Sequence, residues 1–353
     1  AVANKTSASM RAMRPSFSRW WCRVLVMLTL LMAMCLLWLS YDRISKTSFE
    51  DYYVHVRDSE KVMMWDGFGP EVGVYNFTVV TAMLDIGRGN WSTQKRSYNT
   101  YLLYMHRMLS LDVNMVVFVD PRGRPFVDWM RRGREQRTLV VVTRVEELPY
   151  FKHRQRIQEI MDSEEYRRDN ELVEKRLCES WVPEYDILQW SKLYFMHEAI
   201  RRDPFSNSYF VWLDGGYGHG KDVFPSDGVW QPKNLLEYPD RVTFIERESV
   251  ETYRQHAARL HKMSINIIAG LFFGGGKRAV ERLYALQQDL ISDWMKNGVV
   301  DDDQTTYMLM YFKEPELFRL VRGDWLDVFK LFHEKSSEER PRTPFRKKSI
   351  AEQ

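Results

Sequence analysis

Three cysteines in 353 residues exclude a disulfide framework as the source of the fold. Glycine and proline, 18 and 13 in number, are too few and too scattered for a fibrous or low-complexity chain. An excess of one charge is also missing. The formal net charge is +3, and five cations (Lys5, Arg11, Arg14, Arg19 and Arg23) fall within residues 1–23, which hold no acid. The remainder is therefore near neutral, which argues against a nucleic-acid protein, since that would need a basic face. Apolar residues, 44% of the chain, and aromatics, 14%, are too frequent for a disordered polymer. The length allows one large domain or two ordinary ones, with ample core.

Residues 24–41 form an uncharged run of 18 residues. As a helix it would be roughly 27 Å long at about 1.5 Å per residue, the short end of a membrane span. The basic flank precedes it, and Trp20, Trp21, Trp38 and Tyr41 stand at its two ends as interfacial aromatics do. The expected topology is a basic cytosolic tail (1–23), one transmembrane signal anchor (24–41), a polar stem (42–70) and a body in the lumen of the Golgi apparatus or endoplasmic reticulum. A cleaved signal peptide would have a shorter apolar core followed by a small-residue cleavage site. In a luminal body Asn76-Phe77-Thr78 and Asn90-Trp91-Ser92 are glycosylation sequons. Cys178 has no luminal partner within the chain and reads as a buried or free thiol, or as half of an intermolecular disulfide.

The body, 71–335, alternates between two hydrophobic periods. Strands are expected at 75–84, 115–119, 138–143, 209–213, 242–245, 267–273 and 318–321, from their β-branched and apolar runs. Helices are expected at 97–109, 125–132, 151–175, 187–201, 277–297 and 302–311, from apolar spacings of three and four. Strand, helix, strand, helix, strand implies parallel βαβ units, hence one α/β domain with a mostly parallel central sheet. Residues 336–353 are basic and aperiodic, a flexible tail.

Ligands of such sheets bind beyond the carboxyl ends of the strands, so polar clusters following strands are the candidates. The first is Asp85-Ile86-Gly87-Arg88-Gly89-Asn90-Trp91, where Arg88 could pair with a phosphate. An ordinary turn with a surface arginine is the plain alternative. The second, Asp214-Gly215-Gly216-Tyr217-Gly218-His219-Gly220, puts a carboxylate at a strand end before a glycine-rich turn. Asp214 could hold a divalent metal, with His219 assisting. The third, 269–277, has glycines that suit a tight turn and resembles a phosphate loop only weakly. The fourth is Asp301-Asp302-Asp303-Gln304 at a helix start, where capping alone needs one acid and a general base would need another.

Together TAMLDIGRGNW, ELPYF, FVWLDGGYG and DDQ resemble the HtrL/YibB family, and the wider pattern is similar to nucleotide-sugar glycosyltransferases of the GT-A fold. The resemblance implies a single GT-A-like domain preceded by one transmembrane helix. It implies a nucleotide sugar as donor, a glycan or glycoconjugate hydroxyl as acceptor, and manganese or magnesium as cofactor. On this resemblance Asp85, Arg88 and Trp91 lie near the nucleotide, and Lys192 reaches a phosphate. Asp214 is the motif acid and a metal ligand with His219. Asp303 faces the acceptor hydroxyl, and Gln304 places the sugar. The usual Asp-x-Asp reads Asp214-Gly215-Gly216 here, so Asp222 or His219 would have to replace the second acid. That departure leaves a second class open, a non-catalytic sugar- or nucleotide-binding module on a degenerate transferase fold.

Overall fold

A computed structural model of the protein describes residues 76–333, together with 27–29, 32 and 34. The chain divides into two units, Ala1–Gly73 and Val74–Gln353. In the first, the described residues are helical and Met27, Leu28, Met32 and Met34 are exposed. The rest of the expected span at 24–41, the tail at 1–23, the stem at 42–70 and the tail at 336–353 lie outside the described residues. No helix among the described residues is long and apolar enough to cross a membrane.

The second unit is built on a seven-stranded sheet of order β3-β2-β1-β4-β6-β5-β7. The strands are β1 (Phe77–Met83), β2 (Asn114–Val119), β3 (Thr138–Val142), β4 (Tyr209–Leu213), β5 (Val242–Glu246), β6 (Ile268–Gly276) and β7 (Phe318–Arg322). All pairings are parallel except those of β6, which runs against both of its neighbours. β1, β2 and β4 are buried almost throughout, so each reads as a continuous apolar run without polar alternation. Rings from four consecutive strands and one helix stack in a row. Phe195 lies on Trp212, Trp212 on Phe273, Phe273 on Phe244 and Phe244 on Phe318, at centroid distances of 5.9, 6.2, 5.2 and 5.4 Å.

Six helices carry the layers: α1 (Tyr98–Leu109), α2 (Arg124–Met130), α3 (Arg154–Asp162), α4 (Pro183–Arg202), α5 (Lys277–Asn297) and α6 (Asp303–Lys313). Ser97 caps α1 by accepting the Thr100 N–H at 3.1 Å, and Arg107 complements its C-terminal dipole. α4 begins on Pro183, where a missing N–H costs nothing, and packs against β1, β4 and α5. Buried Arg131 donates to the carbonyls of Leu109, Leu111 and Val113, tying the end of α1 to the start of β2. Cys178 is a buried free thiol whose burial raises its pKa.

Two segments differ from the sequence expectation. The charged stretch 151–175 is not one helix. After α3 it breaks into single turns at Glu164–Arg167 and Glu171–Glu174. Ser163 and Asn170 accept the N–H groups of Tyr166 and Leu172, and Asp169 between them takes a left-handed φ of 54°. Those local bonds compete with helix continuation. The glycines of 269–277 are not a phosphate-loop turn but the body of β6. A Cβ on Gly275 would stand 2.9 Å from the Arg241 carbonyl, so close strand approach explains glycine there.

Candidate functional site

The carboxyl ends of β1, β4 and β7, and the start of antiparallel β6, border one cleft of about 700 Å³. Asp85 follows β1, Asp214 follows β4, Gly270 and Leu271 belong to β6, and Asp324 follows β7. Asp85, Arg88, Lys192, Asp214, His219, Asp303 and Gln304 all line this cleft. Trp91 does not line it. Its indole packs edge-on against Trp181 at 5.4 Å and lies 5.1 Å from the Arg88 guanidinium, so it props Arg88 and presents no face to the cavity.

At the floor stands Lys192, brought up from the middle of α4 and almost fully buried. Its Nζ lies 3.2 Å from Asp214 Oδ1 and 2.8 Å from Asp303 Oδ2, and donates to the Gly270 carbonyl at 3.0 Å. Its hydrogen bonds go to the Gly270 carbonyl and to Asp214, and Asp303 is its second ion-pair partner. Lys192, expected from the resemblance to reach a phosphate, lines the cleft with two carboxylates as its neighbours. Burial alone would lower its pKa, but Asp214 and then Asp303 outweigh burial and lift it to about 12. A buried cation bridging two acids from different elements fixes both carboxylates in place.

Asp303 opens α6 with its side chain in the domain interior. Burial raises its carboxyl, Lys192 opposes that, Asp302 adds to it, and the balance is about 7. Room for this carboxylate comes from Gly270, where a Cβ would meet Asp303 Oδ2 at 2.5 Å. The neighbouring acids have separate tasks. Asp302 is the cap of α6 and accepts the Gln304 N–H at 2.9 Å. Asp301 is buried and accepts the Thr305 hydroxyl at 2.6 Å and the Asp302 N–H at 2.8 Å. Burial raises both, Asp302 to about 6. Gln304 donates to Asp302 Oδ2 at 3.1 Å, and its Oε1 is buried without a hydrogen-bond partner among the described residues. In a cleft wall, such an oxygen is an acceptor for an incoming hydroxyl.

Asp214 accepts the Trp212 indole N–H at 2.7 Å as well as the Lys192 ammonium. Asp85 accepts the Gly87 N–H at 2.9 Å and pairs with Arg122, so it holds its own turn and a neighbouring arginine. His219 sits exposed at the lip in a left-handed conformation, φ 48°, with its ring 5.5 Å from that of Tyr104. Partial burial and then Arg96 lower its pKa, Asp214 opposes them, and Arg88 and Lys221 lower it further.

The divalent metal implied by the resemblance would have Asp214 as its motif carboxylate in this cleft. Magnesium is usually held by one or two carboxylates together with substrate phosphates and waters. Among the described residues no three His, Cys, Asp or Glu side chains converge as ligands. Asp214 already meets two donors, and one of them is a fixed cation. Asp222, which would replace the missing acid, is exposed and lines no part of the cleft.

The cleft also contains residues not singled out by sequence patterns. Tyr185 and Gln189 line it with Lys192. The three sit at i, i+4 and i+7 on α4, so helical spacing from Lys192 could have found them. Arg96, Lys221 and Trp325 line it too, from segments without periodicity. Arg96 reaches the cleft because its backbone N–H bonds the Arg88 carbonyl at 3.2 Å, a long-loop contact with no signature in the sequence.

A family model described as "Bacterial protein of unknown function (HtrL_YibB)" matches residues 75–334. Protein HtrL of Escherichia coli (strain K12) is 29% identical over 265 residues, covering 72% of this chain and 92% of that protein. Among solved structures, mouse xyloside xylosyltransferase 1 in its apo form aligns over 74% of this chain and 94% of its own, at 11% identity and a TM-score of 0.37. The 4-diphosphocytidyl-2C-methyl-D-erythritol synthase of Anaerococcus prevotii aligns over 71% and 88%, at 8% identity and a TM-score of 0.34. Neither structural likeness is close enough to bear on function. The family match spans the described domain from β1 to the end of the cleft walls, and the chain belongs to the HtrL/YibB family.

Proposed function

We propose that this chain is a glycosyltransferase with a GT-A-like domain, moving a sugar from a nucleotide sugar to a glycan or glycoconjugate hydroxyl. The supporting observation is the floor of the cleft, where buried Lys192 bridges Asp214 and Asp303 and leaves Asp303 poised near neutrality. A general base works best with a pKa near the working pH, and Asp303 has one.

In the transfer, the acceptor oxygen forms a bond to the anomeric carbon. The bond from that carbon to the diphosphate oxygen breaks, and its electron pair leaves with the nucleoside diphosphate. The acceptor's proton passes to Asp303. Gln304 Oε1 accepts from a second sugar hydroxyl and orients the acceptor. Lys192 keeps Asp303 fixed, so little reorganisation accompanies the step. Lys192 also favours the ionised carboxylate, without which Asp303 could not accept a proton.

We also infer that residues 24–41 anchor the chain in a Golgi or endoplasmic reticulum membrane, with the domain in the lumen. The charge asymmetry of the flanks supports that orientation. Protease treatment of sealed microsomes should spare the domain, and digestion without detergent would contradict luminal placement. For the activity, the full chain is screened with nucleotide sugars for release of nucleoside diphosphate. Release with at least one of them is expected. Tight binding without release or transfer would point instead to a non-catalytic module.

A further inference from the structure

We propose that Arg88, Arg96 and Lys221 form an anion site at the cleft lip that holds a diphosphate without a divalent cation. Naming the anion as the diphosphate of a sugar donor rests on the transferase proposal; the site itself rests on the geometry.

The three cations come from three segments. Arg88 lies in the turn after β1, Arg96 just before α1, and Lys221 just after the glycine turn that follows β4. All three line the same cleft. The Arg96 N–H bonds the Arg88 carbonyl, which joins the first two segments. α1 joins the third. Its Tyr101 ring lies 5.7 Å from the Arg88 guanidinium and stands 3.6 Å from where a Cβ on Gly216 would be. Its Tyr104 ring packs on His219, two residues before Lys221. The Lys221 N–H closes that turn on the Gly218 carbonyl at 2.9 Å.

None of the three forms an ion pair among the described residues. Other cations around the cleft do: Arg122 with Asp85, Arg247 with Asp324, and Lys192 with two acids. Arg88 is oriented by the Gln94 carbonyl at 3.0 Å and the faces of Trp91 and Tyr101, and Glu179, the acid whose charge it feels, forms no ion pair with it among the described residues. Three cations facing one cleft without ion-pair partners give it a positive potential that an anion would offset. A diphosphate, with two to three negative charges, is such an anion. Guanidinium forks suit phosphate oxygens, and a terminal ammonium completes the set.

The same distribution accounts for the missing second acid of the Asp-x-Asp pattern. A glycosyl donor's leaving group needs its charge neutralised, and this cleft carries that charge on its own side chains. Asp214 then serves to fix Lys192.

The test is isothermal titration of the full chain, in detergent, with inorganic pyrophosphate. One series contains EDTA and another contains manganese or magnesium. Binding in EDTA that weakens with rising salt is expected. Arg96→Gln and Lys221→Gln should each weaken it about tenfold or more, and the pair of substitutions more than either alone. Arg154→Gln, a position that pairs with Glu184 and lines no part of the cleft, should leave it unchanged. Binding only in the presence of the metal, or equal binding by the lip variants and the parent, would overturn the proposal. Metal-free binding lost in the lip variants upholds the anion site even if no nucleotide sugar is turned over, an outcome that would defeat only the transferase proposal.

Discussion

Asp303→Asn should make this protein more stable at alkaline pH while removing its transfer activity. The carboxyl has a pKa of about 7 in the folded chain against 3.8 for an ordinary aspartate. Below pH 3.8 the group is protonated in both states and contributes nothing. Between 3.8 and 7 the unfolded chain ionises first, so stability falls as pH rises. Above 7 both are ionised, and the full cost of holding the buried charge remains. At about 1.4 kcal/mol per unit, that cost is about 4 kcal/mol. Asparagine keeps the shape without the charge, so the variant should gain about 2–4 kcal/mol over the parent at pH 8 and almost nothing at pH 4. Chemical denaturation followed by tryptophan fluorescence at the two pH values measures both differences. A variant no more stable than the parent at pH 8, or a gain equal at both pH values, would refute the assignment of a buried, electrostatically costly carboxylate to Asp303.

Lys192→Met leaves Asp303 and Asp214 unpaired and should cost about 3–5 kcal/mol at pH 8, much of it recovered at pH 5 as Asp303 takes a proton; denaturation at the two pH values checks this. Gly270→Ala drives a methyl against Asp303 Oδ2, which its ion pair and burial prevent from moving aside, so transfer should fall at least tenfold while stability drops by about 1–3 kcal/mol. Asp214→Ala should weaken or abolish turnover. It should also cost about 1–3 kcal/mol, because the buried Trp212 indole N–H loses its acceptor and Lys192 loses one of its two carboxylates.

Much of the scaffold is legible in the sequence because its signals are local. α5 coincides with the expected 277–297 because an apolar stripe runs its whole length and Gly298 closes it with a left-handed φ of 69°. β4 is a bare apolar run between polar residues, and its bounds coincide with the expected 209–213 as well. The break-up of 151–175 was hidden because Ser163 and Asn170 are compatible with a helix until their side chains find backbone N–H groups. The direction of β6 was hidden because apolar runs carry no sign of parallel or antiparallel pairing. In the cleft, the acids and glycines that follow strands were visible as candidates. The partnerships that decide their chemistry were not. Lys192 meets Asp214, Gly270 and Asp303 only through tertiary structure, and those contacts make it a bridge between carboxylates. Trp91 reads as a nucleotide contact until Trp181 is seen to cover it.

The most direct measurement is single-turnover transfer by the parent chain and by Asp303→Asn, at saturating nucleotide sugar, with donor affinity measured in parallel. Asp303 as general base predicts unchanged donor affinity and a transfer rate lower by about two orders of magnitude or more in the variant. Equal rates in the two proteins, or no binding of any nucleotide sugar by the parent, would contradict it.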